Sequence, residues 1–417
     1  MAFFLTLPEQ VRAAIIFVIV LVIGGQVNRG IYRLAWSPRA IDPWGPPHPK
    51  AAPRTWWDCI PVIGWFRLQR EEKIHGSGFW VRPLLLEVFL AAGIVMLYLF
   101  EIRQGLVHPL MRPLAMGVLH QQFLVHAILI VLMTVATFID FDEKTIPDSI
   151  TIPGALLALI LAAIWPMSRL TFPYFTPPPV PGVIPHPLQL AAPNSWPAVL
   201  HGGEGLLLGC GALCAWCWGM VPTLCTLRRG WINGVRFYLA SFFRGNYWQW
   251  MLGIAIVGCA GIAYVWNLGG ARWEALLTQL TGLFFGGLLV WSVRVAAGMA
   301  LRKEAMGFGD VTLMAMIGAF LGWQATLLIF FLSPVGALVV SLTQWLSNGR
   351  RDIAFGPYLC LAAVLFIVGW IPIWERTEGV FSLGWLVPAL VAACLGLMTG
   401  LLMMWRIVED LIHGPEK

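Results

Sequence analysis

Ten long apolar stretches run through this chain, at about 11–31, 83–101, 121–139, 149–167, 204–226, 250–268, 276–297, 311–345, 357–374 and 384–405. Stretches of this length match the hydrocarbon thickness of a bilayer. Backbone inside hydrocarbon must satisfy its own hydrogen bonds, which restricts such stretches to helices. The expected fold is therefore all-α, a polytopic transmembrane helix bundle. The eighth stretch is too long for one crossing, and Gly322-Trp323 is a natural break, which makes about 11 spans. Charged residues are only 12% of 417 and the mean hydropathy is +0.76, whereas a soluble chain carries about 25% charge. The first stretch begins near Val11 with no basic start and no A-x-A site, so it reads as a span and not as a cleavable signal.

Arginine and lysine set the orientation. With the N-terminus outside, one face receives Arg33, Arg39, Lys50, Arg54, Arg67, Arg70, Lys73 and Arg82 of loop 32–82, then Lys144, Arg228, Arg229, Arg236, Arg244, Arg302, Lys303, Arg350, Arg351, Arg406 and Lys417. The other face receives Arg12, Arg103, Arg112, Arg169, Arg272 and Arg376. The first face, and with it the C-terminus, is expected to be cytoplasmic. A net charge of +6 spread over such loops answers to membrane topology and does not call for nucleic acid. The segment 227–250 combines four arginines with aromatic residues and reads as an interfacial helix among lipid headgroups. Residues 171–198 are rich in proline and read as an extended extracytoplasmic loop. Cys210, Cys214 and Cys217 share a helical face inside a span and read as packing.

Two carboxylates stand at the water-facing edges of apolar runs, where such groups usually mark function. Asp140 closes the third span within Phe138-Ile139-Asp140-Phe141-Asp142-Glu143-Lys144. Asp310 follows Met306-Gly307-Phe308-Gly309 and opens the eighth. The orientation above puts both on the cytoplasmic side. Two readings are open for Asp310: an N-cap for a helix starting at Val311, or half of an acid/base pair. Asp148, after Pro147, reads as a cap. Asp140 sits at a helix C-terminus, where the macrodipole disfavours an anion, so it gains nothing as a cap. Paired carboxyl groups sharing a proton are sufficient for acid/base hydrolysis of a peptide bond. On helix-end grounds Asp310 is expected to be the base that activates water and Asp140 the protonated acid. If the two are coupled, protonation belongs to the pair.

The flanking residues resemble type IV prepilin peptidases, membrane aspartic proteases of the GxGD class. The similarity is carried by Ile139-Asp140 with Ile146-Pro147-Asp148, by Lys303-Glu304-Ala305-Met306-Gly307-Phe308-Gly309-Asp310-Val311, by Gly318-Ala319-Phe320-Leu321-Gly322-Trp323-Gln324, and by Phe355-Gly356-Pro357-Tyr358-Leu359. Weaker similarity lies in 28–34, 60–65 and 83–87. The resemblance implies that Asp140 and Asp310 are the catalytic pair, with Gly307, Gly309, Pro147 and Asp148 supporting the backbone around them. Lys144, Glu304, Thr312, Phe355, Gly356 and Pro357 are then candidates for substrate contact or for bracing the pair. It further implies removal of short basic leaders from type IV prepilin or type II secretion pseudopilin precursors, at the cytoplasmic face of a bacterial inner membrane. The usual substrates carry glycine before the cut and a hydrophobic helix after it.

Many members of that family bind zinc through two C-x-x-C pairs in the first cytoplasmic loop and methylate the new terminus with S-adenosylmethionine. Here loop 32–82 contains Cys59 alone, and tetrahedral zinc would need four such ligands. Zinc is not expected, His48 and His75 read as solvated loop histidines, and methyl transfer is an open expectation. Proteolysis itself needs no cofactor. Thr312 replaces a lysine common in the family. The chain divides into 1–101, 102–167 with the first aspartate, an insertion at 168–275 with two extra spans, and 276–417 with the GFGD motif. The alternatives are an ion-coupled transporter, which would place its carboxylates at the bilayer midplane between repeats, and a catalytically silent assembly scaffold.

Overall fold

The computed structural model describes residues 2–39, 41–176, 182–221, 236, 239–241, 246–301, 306–348 and 354–413. Helices dominate these residues. In chain order the long ones are α1 (Glu9–Leu34), α2 (Val81–Ile102), α3 (Met116–Glu143), α4 (Asp148–Ile164), α5 (Gly203–Met220), α6 (Tyr247–Leu268), α7 (Gly270–Leu301), α8 (Phe308–Leu321), α9 (Trp323–Asn348), α10 (Gly356–Val368), α11 (Trp370–Phe381) and α12 (Leu386–His413).

Six described helices are long and apolar enough to cross a bilayer, or seven when α10 and α11 count as one broken span bent by 94°. This is fewer than the eleven crossings read from apolar lengths. Part of the difference has a physical source: α4 and α8 are apolar but only 17 and 14 residues long, about 26 and 21 Å at 1.5 Å per residue. The break expected at Gly322-Trp323 is present, with Gly322 at φ 87°, a left-handed conformation that favours glycine. The stretch 357–374 was read as one span; instead it turns sharply at Gly369, between α10 and α11.

Helix α8 is the hub. Every residue from Asp310 to Leu321 is buried, and α3, α4, α7, α9 and α10 all pack around it. That agrees with a sequence apolar on all sides. Its crossing with α7 brings two backbones into contact: a methyl group on Gly282 would strike the Gly318 carbonyl, and one on Gly318 the Gly282 carbonyl. Small residues at such crossings replace hydrophobic driving force with close packing.

Part of the proline-rich stretch departs from the expected extended loop. Thr171–Thr176 (β1) and Gly182–Pro187 (β2) pair as an antiparallel hairpin with Pro173 opposite Pro185. The hairpin region is anchored at the end of the bundle away from Asp310. There Trp370 Nε1 donates to the Thr171 carbonyl at 2.7 Å and Trp323 Nε1 to the Leu190 carbonyl at 2.8 Å.

Loop 32–82 is organised by buried carboxylates. Glu87 on α2 receives Asn28 Nδ2, Trp65 Nε1 and the Val62 amide at 2.7–3.1 Å. Asp42 pairs with Arg33, and Glu71 with Arg54. Asp58, fully buried, accepts from Thr55, Arg67 and Arg70. Burial alone would raise the Asp58 carboxyl, but the hydrogen bonds, led by that from Arg70, hold it well below the usual carboxylate range. His75 is not a freely solvated histidine: it lies 3.4 Å from Glu71 and edge-on to His48. The interfacial helix expected over 227–250 falls mostly outside the described residues; Tyr247–Trp250 form the first turn of α6.

Candidate active site

Asp140 lies in the last turn of α3, and Lys144 ends that helix in the left-handed region at φ 54°, its amide donating to the Asp140 carbonyl at 2.9 Å. Asp310 lies in the first turn of α8. The helix begins at Phe308 and not at Val311, because Gly307 is its N-cap. Asp310 is therefore the third helical residue, and its carboxylate reaches back to the Gly307 amide, the reciprocal half of a capping box. Asp310 is thus not the N-cap of a helix starting at Val311, and the pairing reading does not depend on that cap.

The fold brings the two aspartates together. Both are buried, at 5% and 7% exposure, and the charge of Asp140 acts directly on Asp310. Ile146, just past the end of α3, is wedged between the starts of α8 and α10. A methyl group on Gly309 would stand 2.8 Å from Ile146 Cβ. One on Gly356 would stand 2.8 Å from Ile146 Cδ1 and 2.6 Å from Asp140 Oδ2. Glycine at 309 and 356 is what lets α8 and α10 close on this isoleucine. Cys360, one turn into α10, lies within Coulombic reach of both carboxyl groups.

The N-terminus of α10 faces Asp140, with the Gly356 amide directed at its carboxyl group, though Oδ2 makes no well-formed hydrogen bond. This corrects the helix-end argument for separate roles. That argument weighed only the C-terminus of α3, whereas α10 brings the opposite end of a second dipole to the same group. Asp140 and Asp310 each have a helix N-terminus at hand.

The other candidates distribute as follows. Pro147 is the N-cap of α4 and Asp148 its first residue, with no side-chain capping bond, so Asp148 is not the cap it was expected to be. Thr312 is buried and its hydroxyl donates to the Gly309 carbonyl at 3.1 Å, which leaves that proton within its own helix. Phe355 is the N-cap of α10, whose first turn contains Gly356 and Pro357. Lys144 is the C-cap of α3. Glu304 lies outside the described residues.

Residues that the sequence did not single out complete the frame. Arg82 pairs with Asp142 at 2.7 Å, donates to the Phe138 carbonyl at 3.4 Å, and stacks 4.9 Å above the Phe138 ring. Glu143 accepts the amides of Trp36 and Ser37 at 2.6 and 3.0 Å. The signal was present in three carboxylates within four residues at the end of α3. Two of them fasten loop 32–82 to the helix end that carries the third.

Residues 240–342 match the type IV leader peptidase family. The matched stretch contains Gly307, Gly309 and Asp310 but not Asp140, and it takes in α6 and the start of α7, which the sequence reading had assigned to the insertion. Among curated proteins, the chain is similar to prepilin leader peptidase/N-methyltransferases. That of Pseudomonas aeruginosa is 42% identical over 95 residues, 22% of this chain and 31% of that protein. That of Pectobacterium carotovorum is 34% identical over 111 residues, 23% and 39%. That of Dickeya chrysanthemi is 27% identical over 189 residues, 38% and 62%. The chain thus spans about a third of the length of the first two relatives. No solved structure matches it.

Proposed function

We propose that this chain is a membrane aspartic endopeptidase that removes leader peptides from prepilin-like or pseudopilin-like precursors at the cytoplasmic membrane boundary. The observation that carries the reading is the meeting of Asp140 and Asp310, two buried carboxyl groups from separate helices, around Ile146. The partial family match and the named relatives supply the substrate class.

Two adjacent carboxyl groups hold one proton between them because both cannot ionise at close range. The ionised member takes a proton from water as it attacks the scissile carbonyl. The protonated member hydrogen-bonds the carbonyl oxygen and then supplies the proton that the leaving amine requires. Since a helix N-terminus faces each aspartate, the roles belong to the dyad and exchange with protonation. Burial removes competing water and strengthens these electrostatic contacts.

Zinc and S-adenosylmethionine enter no step. A thiolate zinc site does not fit loop 32–82, where Cys59 is the sole cysteine and its Sγ lies 3.6 Å from the Pro43 carbonyl. The loop is held instead by buried carboxylates paired with arginines.

The test is co-expression with a candidate precursor, following the released leader and the new terminus by mass. Wild type should release the leader, and Asp140→Asn and Asp310→Asn should each leave the precursor intact. Appreciable turnover by either variant would sink the scheme. The same spectra read any added methyl group.

A further inference from the structure

A wide groove runs along the membrane face between α4 and α6, with a volume of about 970 Å³. Leu156 and Ile160 form one wall, Gly253, Val257 and Gly261 the other, and Leu213 and Leu276 the floor. Methyl groups on Gly253 and Gly261 would meet nothing within 4 Å, so the α6 wall is open at both positions. The 22 residues of α6 extend about 33 Å, the hydrocarbon thickness of a bilayer. We propose that this groove receives the hydrophobic helix of the precursor, an inference that rests on the peptidase reading above.

Three observations favour a substrate helix over other occupants. The groove is apolar except at one end, where Asn246 and Gln249 line it. That end carries the start of the α6 wall at Tyr247, and the α4 wall starts at Asp148, two residues after the Ile146 that Gly309 and Gly356 abut. Asp148, at the start of the α4 wall and about two turns before Leu156 of the lining, has no ion-pair partner among the described residues, so a carboxylate stands on the side toward which a basic leader would extend. A helix seated in the groove would thus deliver its cytoplasmic end toward Asp140 and Asp310 with complementary charge. A second apolar cavity, about 810 Å³, lacks this relation, since it lies by Trp323 and Pro197 at the far end of the bundle.

The experiment places a photo-crosslinking residue at Val257 of the full-length enzyme carrying Asp310→Asn, in phospholipid vesicles with a full-length precursor. Phe89 on α2, exposed but remote, is the control position. The precursor helix should crosslink at Val257 and not at Phe89. In the active enzyme, Gly253→Leu and Gly261→Leu fill the groove without a clash. They should lower the kcat/KM ratio of full precursor to a short soluble peptide spanning the cut by about tenfold. Gly93→Leu on α2, where a methyl group also meets open space, should leave both substrates unchanged. Crosslinks to phospholipid alone, to a second copy of the chain, or equally at both positions would overturn the inference, as would an unchanged ratio. Failure of the wild-type enzyme to cut any precursor would refute the peptidase reading instead, and the crosslink pattern reads the groove independently of it.

Discussion

Gly356→Ala should disable the enzyme without unfolding it. The added methyl group would stand 2.6 Å from Asp140 Oδ2 and 2.8 Å from Ile146 Cδ1. Nonbonded heavy atoms prefer about 3.5–4 Å, so α10, Ile146 or the aspartate must retreat by roughly 0.5–1 Å. Overpacking on this scale costs about 1–3 kcal/mol of stability. A displacement near 1 Å at the reacting groups costs about 100-fold in rate, close to 2.7 kcal/mol of barrier. Alanine suits the backbone there, since Gly356 opens α10 and has no positive φ. The assay is single-turnover cleavage of a purified precursor, with thermal unfolding measured on the same preparation. Gly93→Ala is the control. Wild-type turnover by Gly356→Ala at normal stability would show that the contact between α10 and Asp140 does not govern the site.

Other outcomes follow from the same geometry. Asp58→Asn removes a buried charge from two arginines, and loop 32–82 should lose about 3–5 kcal/mol, read as faster proteolysis between residues 36 and 80. The Asp58 carboxyl is held below its unfolded value, so its contribution is complete above about pH 4. Protection of the loop should persist from neutral pH down to that point and fall below it. Arg82→Gln breaks an exposed pair worth under about 1 kcal/mol, yet should lower kcat with little change in KM, because Arg82 braces the end of α3. Gly282→Leu forces a side chain into the Gly318 backbone and should abolish recovery of folded protein, whereas Gly211→Leu on α5, with open space around it, should not.

Much of the site was legible because it depended on local pattern. Asp140 and Asp310 stood out as charges at the ends of apolar runs, and the break at Gly322-Trp323 followed from a run too long for one crossing. The wedge at Ile146 was not legible, because an isoleucine beside a proline looks like any other core residue. Its role comes from Gly309 and Gly356, which approach it from distant parts of the chain. The division of roles between the aspartates was argued from their own helix ends alone, and α10 supplies a dipole that neither local segment discloses. In loop 32–82, Asp58 and Glu71 carried no signal in the sequence, since their partners Arg67, Arg70 and Arg54 lie 9 to 17 residues away along the chain.

The distance along the chain between the parts of this site has a consequence for biogenesis. Asp140 leaves the ribosome about 200 residues before Gly356, a delay of roughly 10–40 s at ordinary translation rates. Until Asp310 emerges, 170 residues after Asp140, α3 lies in the bilayer with a carboxyl group that has neither its partner aspartate nor the amide of α10. On the proposed reading, a nascent chain arrested before residue 310 lacks half of the dyad, and the contact of Gly356 with Asp140 is added only as the last helices are inserted. If the chain is the peptidase proposed above, its late completion would keep a half-built site inactive in the membrane.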